Sequence, residues 1–164
     1  MFKFLIHKMN VDQLPKKYEN LAYLNRVLLH TTHVSTYRQL IMIQGVLFRP
    51  IYRDDIDENK IYLNRLQRTF LKVALGDTVY PIARDDSTLC DKVELKIVKI
   101  GEGEQISLPL IKNFLIDYPV SQGQTFNIQQ IKGVIAITND VTNSIIHTKT
   151  EFSIIDSNLN VLHE

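Results

Sequence analysis

The chain has 164 residues, of which 45% are hydrophobic and 23% charged, a composition typical of one globular domain or two small ones and unlike that of disordered proteins. Nineteen basic and eighteen acidic residues give a formal charge of +1, which disfavours nucleic-acid binding through net charge but allows a local basic face. Cys90 is the only cysteine, so an internal disulfide is excluded and a reducing compartment, most simply the cytoplasm, is predicted.

The first third of the chain predicts an arm followed by strands. Residues 1–19 combine an apolar run that is too short for a signal sequence or a membrane span with a polar stretch, and are predicted to be an N-terminal arm. "AYLNRVLLH", residues 22–30, predicts a strand. "LIMIQGVLFRPIY", residues 40–52, predicts a hairpin that turns at Gln44-Gly45. Pro50 should confine the second arm to an edge or end its ladder.

After a charged loop, residues 61–82, "IYLNRLQRTFLKVALGDTVYPI", predict a strand, a short helix and a second strand. Asn64 is suited to cap the helix, and Gly76 is predicted to be the left-handed residue at its end. Apolar residues recur near the helical spacing of 3.6 residues, which predicts one buried stripe. This stripe comprises Leu63, Leu66, Phe70 and Leu71, and the predicted core also includes Val73 and Val79.

A polar break at residues 83–91 precedes the second half of the chain. "KVELKIVKI", residues 92–100, alternates apolar and charged residues and predicts a half-buried strand. "LPLIKNFLIDY", residues 108–118, predicts a short helix entered at Pro109. "VSQGQTFNI" predicts a turn and a strand, Lys132-Gly133 predicts a hairpin, and "SIIHTK" and "EFSIID" predict two final strands.

The motifs for catalysis and metal binding are incomplete. No Walker A element occurs, and the Gly-x-Gly at residues 101–103 lacks the third glycine of a dinucleotide fingerprint. Asp55, Asp57 and Asn59 imitate half of a calcium loop, but the turn glycine and the bidentate acid are missing. Cys90 has no local partner that would lower its pKa and predicts a buried or inert thiol. We therefore predict no catalytic, cofactor-binding or metal-binding residue in this chain.

Basic residues recur on the predicted helix and on the strand after the break. Arg65 and Arg68 belong to the helix, and Lys96 and Lys99 belong to the strand. If helix and strand pack together, these four residues line one electropositive groove that suits an acidic peptide or protein. The alternative is a solvated surface without a specific partner. Nucleic acid is disfavoured because no ladder of aromatic residues accompanies the lysines.

"KIYLNRLQRTFLKVALGDTVYPI" resembles a segment shared by the N-terminal domains of AAA ATPases, which has a short strand, an Asn/Ser-x-x-Gln/x-Arg helix and Val-x-x-Gly-Asp-x-Val. "VELKIVKIGEG" and "IKNFLIDYPVSQGQTFNI" resemble the join to a second subdomain and its beginning. The resemblance implies a mainly β fold with short helices. Its parts would be a double-psi β-barrel at residues 20–84, a linker at 85–91, a small four-stranded β-barrel at 92–156, and at 157–164 the start of a linker to an ATPase domain outside the chain.

Two branches of that family share features with the chain. Vesicle-fusing ATPases are similar in Leu66-Gln67-Arg68, in the compact hairpin and in the lead-in "LAYLNR". Ubiquitin-dependent segregases are similar in Asn64-Arg65, in Arg68 and in the compact second half. We favour the vesicle-fusing branch and keep the segregase branch as the alternative. A stand-alone nucleic-acid-binding β-barrel is a more distant alternative.

The resemblance to vesicle-fusing ATPases implies a non-catalytic adaptor-binding domain of a hexameric cytoplasmic ATPase that acts in SNARE disassembly, vesicle fusion and protein transport. In that branch basic residues contact the acidic soluble attachment protein that bridges to SNAREs. The helix arginine matches Arg68; a later basic pair matches only at Lys99, because Ile100 takes the second position. ATP and Mg²⁺ would bind in ATPase domains outside the chain, and membranes would be reached only through partners. The segregase branch implies ubiquitin-like adaptors instead.

Overall fold

The computed structural model describes residues 8–19, 24–84, 89–101, 107–128, 131–137, 143–155 and 161–163. The chain divides into two compact units, Met1–Asp86 and Ser87–Glu164. Strands predominate in the described part of both units and the helices are short, which confirms the mainly β prediction. The division lies within residues 85–91, the predicted linker, of which 85–88 are outside the described residues.

The described part of the first unit contains seven strands and two α-helices, together with short 3₁₀ turns at Lys16–Tyr18 and Thr31–His33. The elements are β1 (Met9–Gln13), β2 (Arg26–His30), α1 (Val34–Tyr37), β3 (Ile41–Ile43), β4 (Val46–Arg53), β5 (Lys60–Leu63), α2 (Arg65–Leu71), β6 (Thr78–Val79) and β7 (Ile82–Ala83).

The strand β1 corrects the prediction of an N-terminal arm at residues 1–19. It pairs in parallel with β5 and antiparallel with β6, and the side chains of Met9 and Val11 are buried. The alternation of apolar and polar residues in "MNVDQ" covers only five residues and does not stand out from the polar residues around it. The burial of Met9 and Val11 depends instead on pairing with strands far along the chain. Residues 1–7 of the predicted arm lie outside the described residues.

The seven strands form one curled sheet in the order β6-β1-β5-β2-β4-β3-β7. β6 and β7 lie at opposite edges, although Val79 and Ile82 are only three residues apart in the chain. Their Cα atoms are therefore at most about 11 Å apart, which requires the sheet to curl until its two edges approach each other. The concave side holds the core cluster, which includes Met9, Val11, Val27, Leu29, Ile41, Ile43, Phe48, Ile61, Leu63, Leu71 and Val79.

The hairpin predicted at Gln44-Gly45 is confirmed. β3 and β4 pair antiparallel, and the φ angles of Gln44 and Gly45 are 49° and 81°, which is the left-handed pair that a tight two-residue hairpin needs. The hairpin ladder ends at Phe48, and from Arg49 onward β4 pairs with β2 instead. Pro50 lies beyond the end of the hairpin ladder, but β4 continues through it to Arg53 and Pro50 pairs with Val27 of β2, so the predicted limit applies only to the ladder with β3.

The helix α2 begins as predicted and ends earlier. Asn64 and Gln67 form a reciprocal capping box, in which each side-chain oxygen accepts the other residue's backbone N–H at 2.8 Å. The left-handed residue at the helix end is Lys72, with φ 60°, so the prediction that Gly76 ends the helix is wrong. Gly76 instead occupies the following turn with φ 87°, where its N–H donates to the carbonyl of Val11 at 2.8 Å.

The buried face of α2 differs from the predicted apolar stripe. Leu66 is 40% exposed, whereas Gln67 is 5% exposed, so the core prediction for Leu66 is wrong. The Gln67 Nε2 donates to the carbonyl oxygens of Leu24 and Arg26, each at 2.6 Å. The first of these bonds is buried and the second part-buried; carbonyls removed from water need donors, and the capping box directs Gln67 toward them. Of the remaining predicted core residues, Leu63, Leu71 and Val79 are buried, and Phe70 and Val73 are half-buried.

The described part of the second unit contains one α-helix and seven strands. They are β8 (Lys92–Ile100), α3 (Leu108–Leu115), β9 (Pro119–Ser121), β10 (Thr125–Ile128), β11 (Ile131–Ile137), β12 (Asn143–Ile145), β13 (Glu151–Ile155) and β14 (Val161–His163). Five strands form a sheet in the order β10-β11-β8-β13-β14, and β12 pairs with β9.

This strand inventory corrects two predictions about the second unit. The described residues form more strands than the four of the predicted barrel. β14 lies in residues 157–164, which were predicted to begin a linker, and it pairs antiparallel with β13. A strand this short gains its stability from its neighbour's hydrogen bonds and not from its own pattern.

Two other predictions for this unit are confirmed. Val93, Leu95 and Ile97 are at most 2% exposed, which confirms the half-buried strand predicted for residues 92–100. The helix entered at Pro109 is also confirmed, with the Ser107 side chain accepting a backbone N–H at its start. The helix ends at Leu115, three residues before the predicted end.

Gly133 lies inside β11, so the hairpin predicted at Lys132-Gly133 is wrong. A Cβ atom on Gly133 would lie 2.3 Å from the backbone oxygen of Lys96 and 2.7 Å from Cζ of Phe126. The position therefore requires glycine because a neighbouring strand and an aromatic ring approach the backbone closely. The same residue type that favours turns serves here as a site of close packing.

Candidate functional site

The two arginines predicted to bind a partner belong to the first unit and have different environments. Arg65 is exposed at the start of α2. Arg68 is half-buried, and its Nη1 donates to the carbonyl oxygen of Leu63 at 2.6 Å. The pKa of the Asp12 carboxyl is lowered chiefly by the Lys60 ammonium, whose Nζ lies 2.9 Å away, and Arg68 lowers it further by a smaller amount. The Arg68 side chain is thus hydrogen-bonded to the end of β5, whereas Arg65 is exposed to solvent.

The two predicted lysines belong to the second unit, on β8. Both Lys96 and Lys99 are exposed. The groove that would join them to Arg65 and Arg68 involves both units and stays a prediction.

A bulge decides which side of the sheet Lys99 occupies. Along β11 the consecutive residues Lys132 and Gly133 pair with Lys99 and Ile97, so Val98 is an extra residue in β8. Strict alternation after the buried Ile97 would turn Lys99 toward the core. Because of the bulge, Lys99 instead lies opposite the exposed Lys132, and directly paired side chains share a face.

Lys96, Lys99 and Lys132 together form what we call the lysine face. Lys96 pairs with Val134, which lies two residues from Lys132 and therefore on the same side of β11. All three lysines are exposed, and Glu94, also on this side, is an acidic neighbour. Like charges that pair directly across strands, as Lys99 and Lys132 do, repel each other. An acidic surface placed on this face would relieve that repulsion.

Lys132 was not among the predicted site residues. Nothing in "IQQIKGVIAIT" marks it, because its role depends on the strand that it faces. The bulge that creates the pair is a property of the β8–β11 ladder. The one local signal is the neighbouring Gly133, which the sequence pattern assigns to a turn.

His30 and His33 each make a contact within the first unit. The Nδ1 of His30 accepts the backbone N–H of Thr32 at 3.1 Å, and the Nε2 of His33 is 2.6 Å from the carbonyl oxygen of Glu58. Among the residues that the structure describes, no group of three or more His, Cys, Asp or Glu side chains is arranged to hold a metal ion.

Cys90 is fully buried, which confirms the prediction of a buried thiol. Burial raises the pKa of this thiol, so the thiol stays protonated and weakly nucleophilic. Its backbone is also held: the N–H donates to the carbonyl of Ile145 at 2.8 Å, and the carbonyl accepts the Thr150 hydroxyl at 2.6 Å. The last residues of the predicted linker at 85–91 are therefore packed into the second unit.

The acidic loop between β4 and β5 makes contacts within the protein. Asp55 accepts the Tyr18 hydroxyl at 2.6 Å and forms an ion pair with Lys17. The Lys17 ammonium and then the Tyr18 hydroxyl lower the pKa of this carboxyl. Asp57 accepts the backbone N–H of Asn59 at 2.8 Å. The carboxylates thus stabilise the loop, in agreement with the loop interpretation.

Neither a protein-family model nor a curated protein matches this chain. None of the helices within the described ranges has both the length and the apolar character that a membrane crossing needs.

Proposed function

We propose that this chain is a non-catalytic, adaptor-binding N-terminal domain of a AAA ATPase of the vesicle-fusing branch. The lysine face carries the proposal: Lys96, Lys99 and Lys132 present three positive charges on one side of a sheet, with Glu94 as an acidic neighbour. An acidic adaptor, in this branch the soluble attachment protein that bridges to SNAREs, complements such a face and gains association rate and register from it.

The first unit supports the finer proposal of a double-psi β-barrel. Its curled sheet contains two parallel strand pairs, β1 with β5 and β2 with β4. Parallel neighbours require crossover connections, and the connection from β2 to β4 lies within the longer connection from β1 to β5. The unit of strand, capped helix and Gly76-Asp77 turn leading to β6 is present as in the family segment.

The remaining parts of the proposal follow from the same resemblance. The parent would be a hexameric cytoplasmic ATPase, with ATP and Mg²⁺ bound outside this chain. Of the two predicted helix arginines, Arg65 is exposed and would contact the adaptor directly. Arg68 is half-buried and bonded to the Leu63 carbonyl, and would mainly add positive charge next to Arg65. The ATPase ring would act on the SNARE complex through the bound adaptor.

Charge reversal on the lysine face tests the function. Lys99→Glu combined with Lys132→Glu should leave the far-ultraviolet circular dichroism and the thermal midpoint unchanged, because both side chains are exposed. Binding of the soluble attachment protein, measured by calorimetry, should weaken at least tenfold, which corresponds to about 1.4 kcal/mol. Lys16→Glu with Lys149→Glu, two exposed lysines off this face, is the charge-matched control.

Three outcomes would contradict the proposal. Equal loss in the control pair would show only an effect of net charge. Binding of ubiquitin-like adaptors without binding of the attachment protein would place the chain in the segregase branch. Oligonucleotide binding that falls steeply with salt, without binding of either adaptor, would indicate a nucleic-acid-binding domain.

A further inference from the structure

The strand β10 (Thr125–Ile128) lies at one end of the five-stranded sheet of the second unit. Among the residues that the structure describes, it pairs on one side only, with β11. With four residues it is the longest end strand of the described sheets. Edge strands present unpaired N–H and C=O groups, and proteins usually protect such edges with charged residues or proline. The sequence of β10, "TFNI", contains neither.

The hydrogen-bond pattern of β10 identifies the backbone groups at its outer edge. In an antiparallel pair, successive residues direct their N–H and C=O alternately toward the partner strand and away from it. The carbonyl of Gln124, just before β10, accepts the backbone N–H of Ile135 in β11 at 2.8 Å. By alternation, the N–H and C=O of Thr125 and Asn127 point away from β11. A further strand could bond to these groups.

The side chains of β10 continue the lysine face. Asn127 pairs directly with Lys132, and directly paired side chains share a face of the sheet. Thr125 and Asn127 are both exposed, whereas Phe126 between them is buried. Residues 119–137, which include both strands of this hairpin, contain no Asp or Glu. The outer edge of β10 therefore lies beside positive charge that no acidic residue of the same hairpin offsets.

We propose that the outer edge of β10 binds an extended acidic segment of a partner protein as an added strand. Neighbouring strands lie about 4.8 Å apart, so the added strand lies roughly 10 Å from β11, a gap that a lysine and a glutamate side chain span together. Main-chain hydrogen bonds to Thr125 and Asn127 give affinity, and acidic side chains facing Lys132 give register. This activity goes beyond the proposed adaptor binding and does not depend on the AAA assignment.

A second copy of the chain suits this edge less well than an acidic segment does. Antiparallel pairing of two β10 strands would place the lysine faces of both copies on one side of a continuous sheet. Their positive charges would then repel each other, whereas an acidic segment is attracted to the same charges. Charge therefore favours a partner of opposite sign over self-association.

Amide hydrogen exchange of the full chain, with and without an acidic probe peptide, tests the edge. The probe is an acetylated and amidated peptide of about eight alternating glutamate and valine residues, somewhat longer than a typical strand. In the free protein the amide of Phe126 should be protected, and those of Thr125 and Asn127 should exchange rapidly. The peptide should slow exchange at Thr125 and Asn127.

Three results of this measurement would overturn the proposal. Protection of Thr125 and Asn127 in the free chain would show that another segment or a second copy already occupies the edge. Binding of the peptide without protection of these two amides would place it elsewhere on the protein. No binding at millimolar peptide would exclude strand addition by an acidic segment.

Asn127→Pro removes one donor from the edge. Because this N–H points away from β11, proline costs no ladder hydrogen bond there. Asn127→Ala, the matched control, loses the same side chain but keeps the N–H. By calorimetry, Asn127→Pro should bind the probe about tenfold or more weakly than Asn127→Ala, and equal affinities would refute strand addition. Should Asn127→Pro fail to fold, the exchange measurement on wild-type protein still decides the question.

The charge requirement has its own test. Lys132→Gln should weaken binding of the acidic probe about fivefold or more, whereas Lys149→Gln, an exposed lysine outside this hairpin, should not. Equal losses in both variants, or tighter binding of a probe with lysine in place of glutamate, would overturn the acidic assignment. Asn127→Pro keeps every residue of the lysine face, so its outcome is separate from that of the charge-reversal test of the proposed function.

Discussion

Replacing Gly133 with alanine should destabilise the protein by about 2 kcal/mol. The added Cβ would lie 2.3 Å from the Lys96 carbonyl oxygen and 2.7 Å from the Phe126 ring. The first of these atoms belongs to the backbone of β8 and cannot move without disturbing the β8–β11 ladder. Overpacking of this kind costs up to about 3 kcal/mol, and the entropic gain of removing a strand glycine offsets roughly 0.5–1 kcal/mol.

Urea unfolding of Gly133→Ala measures this cost directly. Asn127→Ala, an exposed site on the neighbouring strand β10, is the control and should change the free energy of unfolding by less than about 0.5 kcal/mol. Because part of the clash is with the ring, Gly133→Ala should cost less in a Phe126→Leu background, by about 0.5 kcal/mol or more. An unchanged free energy of unfolding in Gly133→Ala, or no coupling to Phe126, would refute the close-packing argument.

Three further predictions concern buried and paired groups. Gln67→Met should lower the free energy of unfolding by about 2 kcal/mol, since one buried and one part-buried carbonyl oxygen lose their donor; an unchanged urea midpoint would contradict this. The pKa of Asp12 is lowered below its ordinary value of 3.8, chiefly by Lys60, so its contribution to stability is present above that value and is lost as pH falls through the lowered one. In Lys60→Met the thermal midpoint should therefore fall less steeply than in wild type as the pH drops below about 4. An unchanged dependence of the midpoint on pH would contradict a stabilising Asp12–Lys60 ion pair. Cys90 should react with iodoacetamide at pH 8 many times more slowly in native protein than in urea, because it is buried with a raised pKa; equal rates by mass spectrometry would rule out its burial.

Features that depend on neighbouring residues in the chain could be predicted from the sequence. The Gln44-Gly45 hairpin follows from two residues that tolerate positive φ. The cap at Asn64 follows from a side-chain oxygen placed before a helical pattern. The strand β8 follows from alternation of apolar and charged residues. In each case the deciding interaction spans only a few residues.

Features that depend on distant partners were missed or misread. β1 is buried only because β5 and β6 flank it. Gln67 replaces Leu66 on the buried face of α2 because two carbonyls from the region of β2 need its amide. Gly133 was interpreted as a turn because the approach of Phe126 from another strand is invisible in the local sequence.

The candidate sites divide in the same way. The sequence alone determined that basic residues occur on α2 and β8 of a nearly neutral chain. Only the tertiary structure decided that Lys99 faces outward opposite Lys132. The physical reason is that a single extra residue in a ladder reverses the side on which all later side chains of that strand lie. Such register is set by the pairing of whole strands, which no local pattern specifies.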